Sequence, residues 1–261
     1  MISRKVQDRI AAGLYGCLVA ITAVVVLWSM RQGWAVYKLR RGVGDTWFYA
    51  ADGRAWFRMD EQRRDVSLDQ ISRDLQNAVI AVEDHRFYLH FGIDPVGLGR
   101  AVYRDVRGGR LEGGSTLTQQ LARTLFLSNK RTLGRKAQEA VLALLLEQEL
   151  SKKQILELYL NRIFLSAGVY GVETMSRDLF GKPANTLTLP EAALIAGLIR
   201  APSALSPWSN LDGALDRSRV VLQRMREEGF ITPAQEKAAT QSRPRIRPYP
   251  GATEAQAGYA K

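Results

Sequence analysis

Four segments of this chain open with the same pattern, a serine or threonine followed three residues later by glutamine or glutamate. The pairs are Ser67 with Gln70, Ser151 with Gln154, Thr188 with Glu191, and Thr232 with Gln235. In such a capping box, each side chain binds a backbone group that the first turn of a helix leaves unpaired. Because the pattern recurs along most of the chain, it predicts one mainly α-helical domain over residues 66–240.

A different kind of segment lies near the N-terminus. The run Ile10–Met30 carries no charged side chain and is long enough to cross a bilayer core of about 30 Å. Trp28, Trp34 and Tyr37 are typical of a membrane interface, and no small-residue cleavage site follows the run. We therefore predict an uncleaved transmembrane anchor within residues 1–34.

The remaining segments are assigned by composition. Residues 35–65 form a connecting segment, whose aromatic side chains are compatible with a short β-structure or with a cover on the main domain. Residues 241–261 are rich in proline and basic side chains, which is typical of a disordered tail. The candidate functional residues therefore belong to residues 66–240.

The charge narrows the classes of partner. Lys and Arg outnumber Asp and Glu by 37 to 26, a formal net charge of +11. Such an excess favours polyanionic partners, either nucleic acid or anionic lipid. The only cysteine, Cys17, lies inside the apolar run, so an intramolecular disulfide and a cysteine-based zinc site are excluded.

The first candidate functional residue is Glu83. An apolar stripe over residues 68–84 predicts a helix that Glu83 and Asp84 close. A carboxylate there meets the negative end of the helix dipole, and partial burial would further disfavour its charged form. Both effects would raise the pKa of Glu83 toward neutrality, which suits a general base. An ordinary solvated helix end is equally compatible with this feature alone.

A second acid lies in a helix that begins near Arg135. Residues 140–146 are apolar on every side, so we expect this helix to be central and buried. Spacings of three and four place Glu139 on the same face as Lys136 and Arg135. The cluster is either a weak exposed salt bridge or, on a buried helix, a functional group of charges.

Between the two acids lies the segment GGSTLTQQ, Gly113–Gln120. Its glycines let the backbone approach a ligand closely, and its polar side chains supply neutral hydrogen-bonding groups. Alone the motif is weak, because Thr116 and Gln119 also fit a capping box. The basic residues that follow suit a phosphate ligand: Arg123, Lys130, Arg131, Arg135 and Lys136.

Four segments in this order resemble the first four motifs of the peptidoglycan glycosyltransferases, the family that includes the polymerase domain of bifunctional penicillin-binding proteins. They are EDHRFYLHFG (Glu83–Gly92), GGSTLTQQ, RKAQE (Arg135–Glu139) and SKKQILELYLN (Ser151–Asn161). The likeness covers roughly residues 66–240, and four motifs in order at fitting separations argue strongly against chance.

The resemblance implies a mainly α, lysozyme-like glycosyltransferase domain with one N-terminal transmembrane helix. The protein would be single-pass in the cytoplasmic membrane, with its N-terminus inside and its catalytic domain periplasmic or extracellular. It would transfer the lipid-linked growing glycan to the GlcNAc 4-hydroxyl of lipid II, with inversion, and release undecaprenyl pyrophosphate. The expected partners are lipid II, the nascent glycan strand and the membrane. Other cell-wall synthases are compatible partners, whereas nucleic acid and an organic cofactor are not expected.

The resemblance also implies roles by motif position. Glu83 would be the catalytic base, and Glu139 would act near the donor's pyrophosphate, directly or through a divalent cation such as Mg²⁺ or Mn²⁺. Asp84, Phe87 and His90 would shape the surroundings of the base. The donor site would be lined by Ser115, Thr116, Gln119, Gln120, Arg123, Arg131, Arg135 and Lys136. A poor nucleophile such as a sugar hydroxyl needs a base, whereas a pyrophosphate leaving group needs cations more than a proton.

The sequence departs from the usual family pattern in places. Gln138 stands where a basic residue often precedes the second glutamate, and Ser218 stands where a second arginine is frequent. The stretch Leu165–Ala167 is also less typical. None of these departures touches the two glutamates, so we expect retained activity. We find no Ser-x-x-Lys transpeptidase motif, so the expectation is a monofunctional polymerase.

Two other functions are compatible with the sequence. A lytic, muramidase-like enzyme on a similar fold would cleave finished glycan with one acid and would not need the basic cluster. A membrane-tethered scaffold would bind lipid II or partner synthases without catalysis, although the presence of both Glu83 and Glu139 argues against it.

Overall fold

The computed structural model describes residues 47–49, 55–58, 64–106, 114–127 and 132–249, together with Thr22 alone. The helices are α1 (Arg73–Glu83), α2 (Pro95–Val106), α3 (Leu117–Phe126), α4 (Leu133–Glu149), α5 (Lys152–Arg162), α6 (Val172–Phe180), α7 (Leu189–Leu198), α8 (Leu211–Glu227) and α9 (Pro233–Gln241). Short 3₁₀ helices span Leu68–Gln70, Phe87–Leu89 and Ala184–Thr186. The strands are β1 (Trp47–Tyr49), β2 (Ala55–Arg58), β3 (Phe164–Ser166) and β4 (Val169–Tyr170). The prediction of a mainly α domain is confirmed.

All four predicted capping boxes are present in the structure. They begin the 3₁₀ helix at Leu68–Gln70 and the helices α5, α7 and α9. Thr116 and Gln119 form a fifth capping box at the start of α3. The alternative interpretation of that pair as a helix cap is therefore confirmed.

The helix predicted over residues 68–84 is interrupted. Ile71 is extended, with φ −116° and ψ 130°, and α1 starts anew after its own cap, Ser72. The side-chain amide of Gln76 donates to the carbonyl groups of Leu68 and Ile71 over 3.0 and 2.8 Å, so these backbone acceptors stay paired despite the break. The apolar stripe continues across the break, which is why periodicity alone did not reveal it.

The core is centred on α7, in which residues 192–198 are all buried. This helix packs against α1 and α8. The expectation that the helix after Arg135 is buried on every side is wrong, because Leu144 of α4 is 37% exposed although Leu142 and Leu146 are buried. Within the described part of the chain, α4 packs mainly on α3 and α5, and these neighbours cover only part of its apolar surface.

The N-terminal edge of the domain is fixed to α5. The Asn161 side chain binds both the N–H and the carbonyl of Val66, at 3.1 and 2.8 Å. Next to it, Arg162 makes two hydrogen bonds with the carboxylate of Asp65. These contacts hold Asp65 and Val66 against the C-terminal end of α5.

The C-terminal edge differs from the prediction. Residues 242–249, which we assigned to a disordered tail, are extended, and Arg247 contacts α6. The N–H of Arg247 donates to the carbonyl of Leu179 over 2.8 Å, and the indole of Trp208 donates to the carbonyl of Arg247 over 3.0 Å. Prolines allow such an extended segment, because it needs only a few partners for its backbone. Residues 250–261 lie outside the described residues.

The segments before the domain are described only in part. Strands β1 and β2 pair antiparallel, with Phe48 opposite Phe57, so the connecting segment contains a short β-structure. The predicted anchor Ile10–Met30 lies outside the described residues apart from Thr22. Among the residues that the structure describes, no helix has both the length and the apolar character that a membrane span requires.

Candidate active site

Glu83 is the last residue of α1, and its side chain stays partly accessible. The side-chain amide nitrogen of Gln120 donates to Glu83 Oε2 over 2.9 Å. Burial raises the pKa of Glu83, while this hydrogen bond and the charges of Arg217, Arg200 and Arg123 oppose the rise. The predicted direction is correct, and desolvation is its largest cause.

The Gln120 amide has a second partner that sequence reasoning missed. The hydroxyl of Tyr159, on α5, donates to Gln120 Oε1 over 3.0 Å. Burial, and after it the charge of Glu83, hold the pKa of Tyr159 well above its usual range, so this phenol stays protonated. Tyr159 lies in the segment SKKQILELYLN, which was the available signal, but a tyrosine on a buried helix face is usually part of the core.

Asp84 joins the end of α1 to the start of α3. Its Oδ2 accepts the backbone N–H of Leu117 over 2.9 Å, and both of its oxygens lie 3.0 Å from His90 Nε2. A carboxylate at a helix N-terminus pairs with a free N–H group and meets the positive end of the helix dipole. Asp84 therefore fixes the register in which α3 presents Gln120 to Glu83.

The same region is held to α4 by a close backbone contact. Thr116 Oγ1 donates to the carbonyl of Gly92 over 2.6 Å. Gly92 has φ +78°, and a Cβ atom there would lie 2.8 Å from the carbonyl oxygen of Ala143. Both the backbone conformation and the contact require glycine, so α4 can lie directly against the first motif.

Glu139, on α4, is almost fully buried, with 1% of its surface exposed. Arg135 donates to its Oε1, and Lys136 Nζ lies 3.2 Å from its Oε2. Lys136 Nζ also donates to Ser115 Oγ over 2.6 Å and lies 3.4 Å from Gln119 Oε1. The charge cluster that the spacing predicts is therefore present.

Both acids lie beside the first turn of α3. Gln120 contacts Glu83, and the preceding residue, Gln119, contacts Lys136, which pairs with Glu139. The positive charge of Arg123 acts on both Glu83 and Lys136 and lowers the pKa of each. Burial lowers the pKa of Lys136, and the neighbouring positive charges of Arg123 and Arg135 lower it further. The structure thus places a desolvated acid next to a group of cations.

Of the other predicted site residues, Phe87 and His90 contact neighbouring side chains of the domain. Phe87 is fully buried and lies under the ammonium of Lys152, 4.5 Å from the ring centre. His90 is fixed by Asp84 as described above. Arg131 lies outside the described residues, as does Gly113 at the start of the second motif.

Sequence reasoning missed two arginines whose charges act on Glu83. Arg217, on α8, and Arg200, just after α7, both favour the charged form of Glu83. A Cβ atom at Gly197 would lie 3.1 Å from Arg217 Cγ, so this glycine leaves room for the arginine. The adjacent departure from the family pattern, Ser218, is buried and donates to the carbonyl of Leu215 within its own helix. The other departure, Gln138, is exposed.

The donor set around Glu139 does not fit a metal ion held by the protein alone. Both carboxylate oxygens already face cations, Arg135 and Lys136. In the ranges that the structure describes, no three His, Cys, Asp or Glu side chains come together as metal ligands.

A desolvated acid beside a cluster of lysine and arginine side chains, on a mainly helical domain, has the components of a group-transfer site with an anionic leaving group. A family model described as "Transglycosylase" matches residues 52–226, and this chain belongs to that family. The resemblance found in the motifs is confirmed.

Relatives show the same likeness. The chain is 49% identical over 193 residues to penicillin-binding protein 1A of Aquifex aeolicus, covering 73% of this chain and 27% of that protein. It is 50% identical over 189 residues to penicillin-binding protein 1A of Escherichia coli, covering 72% of this chain and 22% of that protein. The crystal structure of penicillin-binding protein 1A from Haemophilus influenzae is more distantly similar, with a TM-score of 0.44 and 26% identity over 83% of this chain and 24% of that one. The chain thus spans about a quarter of the length of the curated relatives it matches.

Proposed function

We propose that this domain polymerises the glycan strands of peptidoglycan, by transferring the lipid-linked growing glycan to the GlcNAc 4-hydroxyl of lipid II. Membership in the transglycosylase family supports the reaction class. The observation that carries the proposal is the position of Glu83, a desolvated acid beside the same turn of α3 as the Arg135, Lys136 and Glu139 cluster.

In this reaction Glu83 is the general base. Its raised pKa makes it a better proton acceptor near neutral pH than an ordinary glutamate. Gln120 engages Oε2, and Oε1 would accept the proton of the sugar hydroxyl as that oxygen attacks the anomeric carbon of the donor. The bond to the pyrophosphate oxygen breaks as the new glycosidic bond forms, with inversion at that carbon.

The cation cluster would stabilise the leaving pyrophosphate. Arg123, Arg135 and Lys136 supply positive charge where the leaving group gains negative charge. Glu139 neutralises only part of that charge, and it orients both of its cationic partners along one helix face. Its role is to position Arg135 and Lys136.

The place of the reaction follows from the substrate. The family resemblance implies that lipid II is presented at the outer face of the cytoplasmic membrane, so the domain would act there. The predicted N-terminal anchor would hold the domain at that face, and its N-terminus would then lie inside.

The test is polymerisation of purified lipid II by the full chain and by Glu83→Gln. The variant keeps the size of the side chain and removes the base, so we expect polymer formation to fall by about 10²- to 10⁴-fold. Glu228→Gln, at an exposed position after α8, is the matched control and should retain full activity. Intact polymerisation by Glu83→Gln would show that the base is misassigned.

The same preparation separates the alternatives. Soluble fragments released from finished peptidoglycan, with no polymer from lipid II, would indicate a lytic enzyme. Binding of lipid II without either product would indicate a scaffold.

A further inference from the structure

We propose that Tyr159 is a positioning residue of this site, whose hydroxyl holds the Gln120 amide so that its N–H, and not its carbonyl, faces Glu83. The inference rests on the proposed function, because it concerns how the base of that reaction is kept ready.

The geometry is a chain of two hydrogen bonds across three helices. Tyr159 donates from α5 to Gln120 Oε1 over 3.0 Å, and Gln120 Nε2 donates from α3 to Glu83 Oε2, at the end of α1, over 2.9 Å. Tyr159 is 1% exposed and Gln120 is also buried, so bulk water cannot readily replace either partner.

An amide side chain has two ends of similar size and opposite hydrogen-bonding character. If the Gln120 amide turned over, its carbonyl oxygen would face the carboxylate of Glu83, and the two acceptors would repel. Tyr159 opposes this turn because its protonated hydroxyl donates to the carbonyl end. The raised pKa of Tyr159 ensures that this proton remains.

The tyrosine matters most when Glu83 is protonated. An ionised Glu83 selects the N–H end of Gln120 by its own charge, whereas a protonated Glu83 can donate to the carbonyl end equally well. During turnover the base passes through the protonated state. Tyr159 keeps the amide in one orientation in both states, so that Glu83 is returned to its ionised form.

The test is Tyr159→Phe in the full chain, which removes one oxygen atom and keeps the ring. We expect kcat for lipid II polymerisation to fall by about tenfold, with KM for lipid II changed less than about twofold, because one hydrogen bond next to the base is lost. We also expect the acid limb of the pH profile of kcat to move upward by about one unit, because without Tyr159 the Gln120 amide can turn over and its carbonyl can accept a hydrogen bond from protonated Glu83, which stabilises the protonated form. Tyr249→Phe, at an exposed tyrosine whose ring packs on Trp208, is the control and should change neither quantity.

A space-filling tyrosine would give a different result. Unchanged kcat and an unchanged acid limb in Tyr159→Phe would overturn the proposal. A second comparison uses Gln120→Ala, because a residue that acts through Gln120 has no further effect once the amide is absent. If adding Tyr159→Phe to Gln120→Ala lowered kcat again by a similar factor, the proposal would also be wrong.

The two proposals fail separately. Activity in Glu83→Gln would show that Glu83 is not the base. If Glu83→Gln were inactive and Tyr159→Phe were fully active, Glu83 would remain the base and only the positioning role of Tyr159 would be disproved.

Discussion

Asp84 Oδ2 accepts the backbone N–H of Leu117, so the end of α1 and the beginning of α3 share one carboxylate. The neighbouring residue, Glu83, meets a helix dipole of the opposite sign. Asp84 lies at the positive N-terminal end of α3, where a negative charge is stabilised, while Glu83 lies at the negative C-terminal end of α1 and is desolvated. Two consecutive acids thereby have different surroundings, one paired with a helix N-terminus and the other desolvated at a helix C-terminus.

Loss of the Asp84 charge should destabilise the domain. Asp84→Asn keeps the shape but weakens the bonds to Leu117 and His90, and it leaves buried donors poorly paired. We expect the free energy of unfolding to fall by about 2–3 kcal/mol, measured by urea denaturation. Asp69→Asn, at an exposed position, is the control. A change below about 0.5 kcal/mol would contradict a structural role for Asp84.

Gly92 should tolerate a side chain less well than another glycine of the same backbone conformation. Gly92→Ala adds a Cβ atom 2.8 Å from the Ala143 carbonyl oxygen, in addition to the strain of φ +78°. Gly168 has φ +81°, and no described atom lies within 4 Å of a Cβ atom there. We expect Gly168→Ala to lower the free energy of unfolding by about 1 kcal/mol and Gly92→Ala by about 2–4 kcal/mol. Equal losses in thermal or urea unfolding would show that the contact with α4 relaxes freely.

Glu83→Gln, which we expect to be inactive, should be more stable than the parent protein at neutral pH. The pKa of Glu83 is raised in the folded state, so the folded protein binds this proton more tightly than the unfolded chain. Its contribution to stability is present below the ordinary glutamate value of 4.5 and is lost as pH rises through the folded pKa. The advantage of the variant should therefore appear at pH 7 and disappear near pH 4.

Urea unfolding of both proteins at the two pH values measures this difference. Glu228→Gln reports any general effect of removing one negative charge, because its side chain is exposed. A variant that is less stable than the parent at pH 7 would show that the Glu83 carboxylate is not under a desolvation penalty.

Lys136 should contribute to binding of the donor. Lys136→Met keeps the length of the side chain and removes the charge that lies near Ser115, Gln119 and Glu139. We expect KM for lipid II to rise by about tenfold or more, because the pyrophosphate of the donor is already charged when it binds and would lose a cationic partner, and Glu139 would keep only one. Lys153→Met, at an exposed position on α5, is the control for net charge. Equal KM values for the two variants, measured in a polymerisation assay, would exclude a specific role for Lys136.

Features that depend on neighbours within one turn of helix could be predicted from the sequence. The capping boxes join residues three apart, and Glu139 meets Lys136 and Arg135 at spacings of three and four. The family motifs also located the two acids. The break at Ile71 was missed because it depends on Gln76, whose amide binds two carbonyl groups that a periodic pattern does not show.

The sequence by itself determined the helical class of the domain and the residue types of the site, because these depend on local hydrogen bonds and on motifs. Only the tertiary structure decided what surrounds Glu83. Its partner Gln120 is 37 residues away, Tyr159 is 39 residues beyond Gln120, and Arg217 comes from another helix. Those contacts depend on how α1, α3, α5 and α8 pack, and the desolvation that raises the pKa of Glu83 exists only once they have packed.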